Sequence, residues 1–76
     1  MSEMTLNKVK EGSTVEVSAL LSEGPMRRRL RDIGVIEGTK IQCLQKSASG
    51  DPTAYLIRGA VIALRGDDSS RIQVIG

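Results

Sequence analysis

The apolar side chains of this 76-residue chain are almost all aliphatic, because the sequence holds one Tyr and no Phe or Trp. Its core must therefore be assembled from Val, Ile and Leu, and the β-branched residues among them favour strands. A chain of this length buries only about 60% of the surface that its unfolded form exposes, so nearly every aliphatic residue is needed inside. The sequence predicts one small, mostly β domain that spans residues 1–76.

The same limited supply of apolar residues argues against an enzyme. An enclosed ligand cleft typically needs roughly 300 Å³ or more, and few side chains remain to line one. The sequence has no His, which removes the commonest general base, and its one Cys cannot build a structural zinc site. We therefore expect no catalytic residues, no cofactor and no metal site.

The location of the chain is predicted from its Cys content and its apolar runs. Cys43 has no second Cys with which to form an internal disulfide, which favours a reducing cytoplasm. The longest apolar run, residues 60–64, is far shorter than the ~20 residues that span a bilayer. The N-terminal residues lack the basic and apolar regions of a signal peptide. These features predict a cytoplasmic protein.

Five segments have the patterns of strands. Residues 14–18 alternate strictly and place Val15 and Val17 on one face, as in a half-buried strand. In the segment 40–46, Ile41 and Cys43 likewise share a face. The remaining strands are short apolar runs bounded by turn residues, predicted at 54–58, 60–65 and 72–74.

One helix is predicted over residues 25–32. Pro at the first helical position matches the missing donor there, and Gly34 lies where a left-handed C-terminal cap is needed. Met26, Leu30 and Ile33 form one apolar stripe at helical spacing. A helix of this kind lies flat on a core and presents its other face to solvent.

Five short strands with one helix inserted after the first predict a small, strongly curved barrel, whose closure would remove exposed strand edges. Within residues 5–12, Leu6 and Val9 are three apart, which suits one helical turn held against the core. Residues 66–70 are predicted to form a polar turn. We expect the adjacent carboxylates within it to bond locally rather than share a cation.

An arginine cluster is the sharpest local feature of the sequence. Arg27, Arg28 and Arg31 point away from the apolar stripe of the predicted helix. Three interpretations stay open: a solvated helix face, a docking face for a partner protein, or a nucleic-acid contact. Arg is enriched at interfaces and binds carboxylates bidentately, which favours docking. The lack of stacking aromatics counts against nucleic acid.

A second candidate surface comes from the predicted hairpin between the strands 40–46 and 54–58. If that hairpin is symmetric about Gly50, Leu44 and Leu56 stand opposite each other on the outward face. Such a pair could bind a partner, unless the helix or the chain termini cover it. Leu20 and Leu21, just before the helix, are the next apolar candidates.

Five short motifs follow one another along the chain: Arg-Arg-Leu-Arg-Asp-Ile-Gly-Val at 28–35, Glu-Gly-Thr-Lys-Ile at 37–41, Gly-Asp-Pro at 50–52, Tyr-Leu-Ile-Arg-Gly at 55–59 and Ile-Ala-Leu-Arg at 62–65. Their order and spacing resemble the FeoA family over nearly the whole chain. Glu37 is a departure, since that family usually has Pro before the Gly of this turn. Pro is favoured at that turn position but is not required there.

The resemblance implies an SH3-like barrel that serves as a cytosolic accessory to FeoB, a ferrous-iron permease with a cytosolic G-protein domain. The leading hypothesis is therefore an interaction module that docks onto the cytosolic part of a FeoB-type permease and meets the membrane only through that partner. An alternative from another class is a small nucleic-acid-binding barrel that uses Arg27, Arg28 and Arg31. A third, a direct metal carrier, is disfavoured by the missing nitrogen and sulfur ligands.

Overall fold

A computed structural model describes residues 3–76 of the chain. Six strands, two helices and one 3-10 turn follow one another within this range: β1 (Glu3–Thr5), the 3-10 turn (Leu6–Lys8), β2 (Thr14–Leu20), α1 (Gly24–Ile33), β3 (Lys40–Lys46), β4 (Thr53–Ile57), β5 (Ala60–Leu64), α2 (Gly66–Ser69) and β6 (Ile72–Ile75). Neither helix is long and apolar enough to cross a membrane.

All six strands belong to one antiparallel sheet, in the order β1-β6-β2-β3-β4-β5. Within residues 3–76 this order ends at β1 and β5, so the predicted removal of exposed strand edges by closure is wrong. The predicted number of five strands is wrong by one, because β1 pairs with β6. Three residues are too few to show a strand period, so β1 had no pattern by which to be found. As a consequence, α1 follows the second strand of the described chain and not the first.

One core, aliphatic except for Tyr55 and Cys43, lies against a single face of this sheet. Val15 and Val17 of β2 and Ile41 and Cys43 of β3 are buried in it, as their alternation predicted. The complete buried set is Leu6, Val9, Val15, Val17, Leu30, Val35, Ile41, Cys43, Tyr55, Ile57, Leu64, Ile72 and Val74. Because Leu6 and Val9 belong to it, the predicted attachment of the N-terminal segment to the core is confirmed.

Helix α1 ends in the predicted left-handed cap. Gly34 has a φ of 104°, and its N–H donates to the carbonyl of Arg31 at 3.0 Å. The N–H of Val35 donates to the carbonyl of Leu30 at 2.8 Å, which completes a Schellman motif. Leu30 is fully buried, with Met26 and Ile33 packed partly buried beside the core. The apolar stripe is therefore confirmed.

The segment predicted as a polar turn is instead the four-residue helix α2. The carbonyl of Arg65 accepts from the N–H groups of Asp68 and Ser69, both at 3.0 Å, which starts a helical turn. The carboxylate that bonds to the backbone at the start of this helix comes from outside the segment. Asp51 accepts a hydrogen bond from the N–H of Gly66 through its Oδ1, at 2.7 Å.

Candidate docking surfaces

The basic face of α1 consists of Arg27, Arg28 and Arg31. All three side chains are exposed, and with Gly24 and Asp32 they line an open depression along the helix. Their backing is rigid, because the opposite stripe of α1 is packed on the core. The structure therefore places the three predicted arginines together, where guanidinium groups can reach carboxylates of another molecule.

The outer sheet face is the side of β3, β4 and β5 that points away from the core. Thr53, Tyr55 and Ile57 are buried on the inner face of β4, so Ala54 and Leu56 point outward. Strand β5 continues this surface, since Ala63 pairs with Ala54 and Val61 pairs with Leu56. The outer sheet face is thus apolar across β4 and β5, the two strands of a hairpin.

The predicted pairing of Leu44 with Leu56 is wrong. Leu56 stands opposite Gln42, and a register shift between Cys43 and Gln45 leaves Leu44 as the extra residue of a β-bulge. The two leucines remain half-buried residues of neighbouring strands. The pairing failed because a hairpin symmetric about Gly50 assumes equal arms, whereas the ladder next to the core is centred one residue earlier.

Val61 was not among the surface residues predicted from the sequence. Its side chain is 67% exposed, the largest exposure among the large apolar residues of the described chain. The two-residue turn Arg58-Gly59 was a sequence signal from which the position of Val61 could have been predicted. The turn at Arg58 and Gly59 has positive φ at both residues, 50° and 84°, as in a type I′ hairpin. A two-residue turn of this kind fixes the register and places Val61 across from Leu56.

The two leucines before α1 have different environments. Leu20 pairs with Ile72 and packs partly buried against the core, so it is not free to contact a partner. Leu21 is 51% exposed, and its backbone N–H donates to the carbonyl of Arg71 at 2.7 Å. Of this predicted pair, only Leu21 offers its side chain to another molecule.

Arg58 connects the two candidate surfaces. It occupies the β4–β5 turn, and its side chain lies over Gly34 at the C-terminal end of α1. The hairpin that builds the outer sheet face therefore lies directly beside the end of the basic helix. A positive charge at a helix C-terminus is also favourable for the helix dipole.

Neither buried titratable side chain has the character of a nucleophile or a ligand. Cys43 is fully buried, and loss of hydration raises the pKa of its thiol, which disfavours the reactive thiolate. Burial likewise raises the pKa of Tyr55. Across residues 3–76, no three His, Cys, Asp or Glu side chains are grouped so as to hold a metal ion. The described surface presents an exposed basic helix face and an apolar sheet face.

Six antiparallel strands around one small core, with a helix inserted after β2, define an SH3-like barrel. The zinc complex of the FeoA protein of Stenotrophomonas maltophilia, described as a prokaryotic SH3 domain protein, shares this fold with a TM-score of 0.85. It is 24% identical and the match covers 95% of this chain and 89% of that one. The model of the FeoA domain matches residues 4–75. The chain belongs to the FeoA family.

Two further relatives agree with this assignment. The FeoA-like protein of Clostridium acetobutylicum is 33% identical, with a TM-score of 0.88, over 99% of this chain and 87% of that one. A fusion protein of Porphyromonas gingivalis, described as Fe(2+) transport protein A joined to the Fe(2+) transporter FeoB, is 27% identical over 71 residues. That match covers 93% of this chain but only 8% of the fusion protein.

Proposed function

We propose that this chain is a cytoplasmic accessory protein of ferrous iron uptake, which acts by docking onto the cytosolic part of a FeoB-type permease. The observation that carries the proposal is the Porphyromonas gingivalis fusion, in which a relative of this chain and the transporter share one polypeptide. A covalent link holds two modules at a high effective concentration. Docking of this chain onto the transporter would bring the same two modules together.

The surface of the described chain supports such an interface. The outer sheet face supplies an apolar centre, Arg58 supplies a charge at the β4–β5 turn beside the end of α1, and the basic face of α1 supplies three further exposed charges. An apolar centre with a polar rim is the usual anatomy of protein interfaces. An open, shallow surface also suits reversible docking better than the binding of a small substrate.

The test is to titrate the purified chain against the cytosolic part of the FeoB-type permease from the same organism, by calorimetry and by biosensor kinetics. Leu56→Ala and Leu44→Ala remove candidate apolar contacts, and each should weaken binding by about 1 kcal/mol or more. Leu21→Ala tests the remaining exposed candidate, and a larger loss of binding there than at Leu56 would move the interface to the start of α1.

Charge reversal at the helix tests the rim separately. Arg28→Glu should lower the association rate and reduce its salt dependence, with a smaller effect on dissociation, as expected for a rim charge. Lys8→Glu reverses an exposed charge on the 3-10 turn and serves as the control. A wild-type chain that shows no binding up to about 100 μM, far above the range of ordinary specific complexes, would contradict the proposal.

A further inference from the structure

Strand β5 is an edge of the sheet. Within residues 3–76 it pairs with β4 alone, and the strand order ends there. The pair Ile57 and Ala60 closes the two-residue turn and exchanges both of its backbone hydrogen bonds, as does every second pair beyond it. The backbone N–H and C=O groups of Val61 and Ala63 therefore point away from β4, towards the open side.

Strand β5 lacks the features that usually prevent an edge strand from pairing with another chain. Edge strands are commonly kept short, or carry charged residues, Pro or a bulge, so that they do not pair with other chains. Strand β1 at the opposite end of the sheet has three residues and begins with Glu3. Strand β5 has five uncharged residues with no Pro, and its register with β4 is unbroken. Its open backbone groups are suited to receive another strand.

The surroundings of β5 indicate the chemistry of that strand. Val61 is 67% exposed beside Leu56, so an added strand would extend the apolar outer sheet face with alternate apolar side chains. Arg58 and Arg65 lie exposed at the two ends of β5. Carboxylates at the ends of the added strand would meet these guanidinium groups.

A second copy of this chain fits the edge less well than such a segment. Antiparallel pairing of β5 with itself would bring Arg58 of one copy beside Arg65 of the other, at both ends of the new ladder. Like charges in adjacent strands are destabilising. A partner strand with acidic ends avoids this repulsion.

We infer that the β5 edge is the docking element of this chain, and that it receives an extended apolar segment with flanking carboxylates from the partner by strand addition. The inference rests on the proposed function, since the partner is the cytosolic part of the permease. Main-chain hydrogen bonds to Val61 and Ala63 would supply the affinity, and the outer sheet face and the two arginines would supply the specificity.

Removal of a single backbone donor tests the inference. Ala63→Pro eliminates the outward N–H while leaving the ladder to β4 intact, which edge strands tolerate. Ala63→Ser is the matched control, because it adds a polar side chain and keeps the N–H. With the permease's cytosolic part as the probe, Ala63→Pro should weaken binding about tenfold and Ala63→Ser by no more than about twofold. The melting temperature of each variant establishes that it is folded.

Hydrogen exchange on the wild-type chain gives a second measurement that needs no variant. Strand addition should slow exchange at the amides of Val61 and Ala63 when the permease's cytosolic part is added. Wild-type binding with unchanged exchange at both amides, or undiminished binding by folded Ala63→Pro, would overturn strand addition and leave the proposed function standing. No binding by the wild-type chain would overturn both. A dimer of the free chain that Ala63→Pro abolishes would assign the edge to a second copy instead.

Discussion

Gly34 occupies a backbone position that other residues avoid. Its φ of 104° lies outside the region that residues with a side chain usually adopt. A Cβ added there would also collide with Cδ of Arg58. Two separate penalties therefore apply to any substitution, one from the backbone and one from the neighbouring side chain. The same residue links the end of α1 to the β4–β5 turn, so its conformation affects both candidate docking surfaces.

We expect Gly34→Val to lower the free energy of unfolding by about 1–3 kcal/mol, the usual cost of strain at such a position. Thermal and urea unfolding followed by circular dichroism measure it. The collision with Arg58 can be separated from the backbone penalty by comparing Gly34→Ala in the wild-type background and in Arg58→Ala. An equal loss in both backgrounds would mean that Arg58 moves aside at no cost. An unchanged melting temperature for Gly34→Val would refute the cap itself.

Tyr55 allows a direct test of burial, because it is the only Tyr in a chain without Trp. Its ring is 1% exposed, its O–H donates to the carbonyl of Leu6 at 3.4 Å, and burial raises its pKa. Absorbance of the phenolate should therefore titrate above the ordinary value of about 10. Above that ordinary pKa the unfolded chain ionises and the folded chain does not, so the free energy of unfolding should fall as the pH rises further.

The Tyr55→Phe variant is the control for this titration. It removes the phenol, so the fall in unfolding free energy above about pH 10 should become smaller. Part of the fall should persist, because burial also raises the pKa of Cys43, and its contribution has the same sign. A wild-type phenol that titrates at its ordinary pKa in folded protein would show that Tyr55 is accessible to water.

At the level of elements, α1 has one face packed on the core and one face exposed to solvent. Leu30 is fully buried and bonds through its carbonyl to the cap, whereas Arg27 on the other face is exposed. The buried face holds the helix in place, and the exposed face is free to bind. Stability and docking should therefore respond to different residues of the same ten-residue helix.

We expect Leu30→Ala to cost about 2–5 kcal/mol in unfolding free energy, because it leaves a cavity in a small core. Arg27→Ala on the exposed face should change it by less than about 0.5 kcal/mol. Urea denaturation of both variants makes the comparison. Similar losses for the two would mean that α1 is held by its surface charges rather than by the core.

The elements that the sequence predicted correctly are those with a repeated pattern and clear ends. The bounds of β3 agree with the prediction, and α1 is one residue longer at each end because helix ends fray without a sharp signal. Strand β2 continues to Leu20, beyond its strictly alternating part. Strand β1 was not predicted, and helix α2 was predicted as a turn, since three or four residues carry no detectable period.

The candidate site was predictable to different degrees for physical reasons. The arginines could be assigned to one face because helical spacing fixes which side chains share it. The partner of Leu56 could not be found from the 47–52 connection, because the bulge at Leu44 changes the register and has no sequence signature of its own. The edge position of β5 is a property of the assembled sheet, which depends on contacts remote in sequence.

At the scale of the whole molecule, the charge is nearly balanced but unevenly placed. Eleven Lys and Arg against nine Asp and Glu give a net charge of +2, while the basic face of α1 concentrates three arginines on one helix. A small net charge provides little long-range attraction to any polyanion, so in the proposed docking local geometry would have to select the partner. The outer sheet face and the open β5 edge, next to Arg58, are the surfaces proposed for that role.

Membership of a ferrous iron transport family makes metal affinity the last question at this scale. Cys43 is buried, the sequence has no His, and no three potential ligands are grouped within residues 3–76. What remains are carboxylates such as Asp67 and Asp68, adjacent on α2. Isolated oxygen ligands bind Fe²⁺ weakly compared with mixed nitrogen and sulfur sites.

We therefore expect anaerobic calorimetry to show no ferrous iron site tighter than roughly 10 μM, a bound set by the oxygen ligands available. Weak heats should be the same in the wild-type chain and in a variant that combines Asp67→Asn with Asp68→Asn, since neither carboxylate belongs to a grouped site. A tight, stoichiometric isotherm of the wild-type chain that is lost in this double variant would contradict the expectation. It would make the chain a carrier that hands iron to the permease, and the docking surfaces would then have to position a metal site as well as a partner.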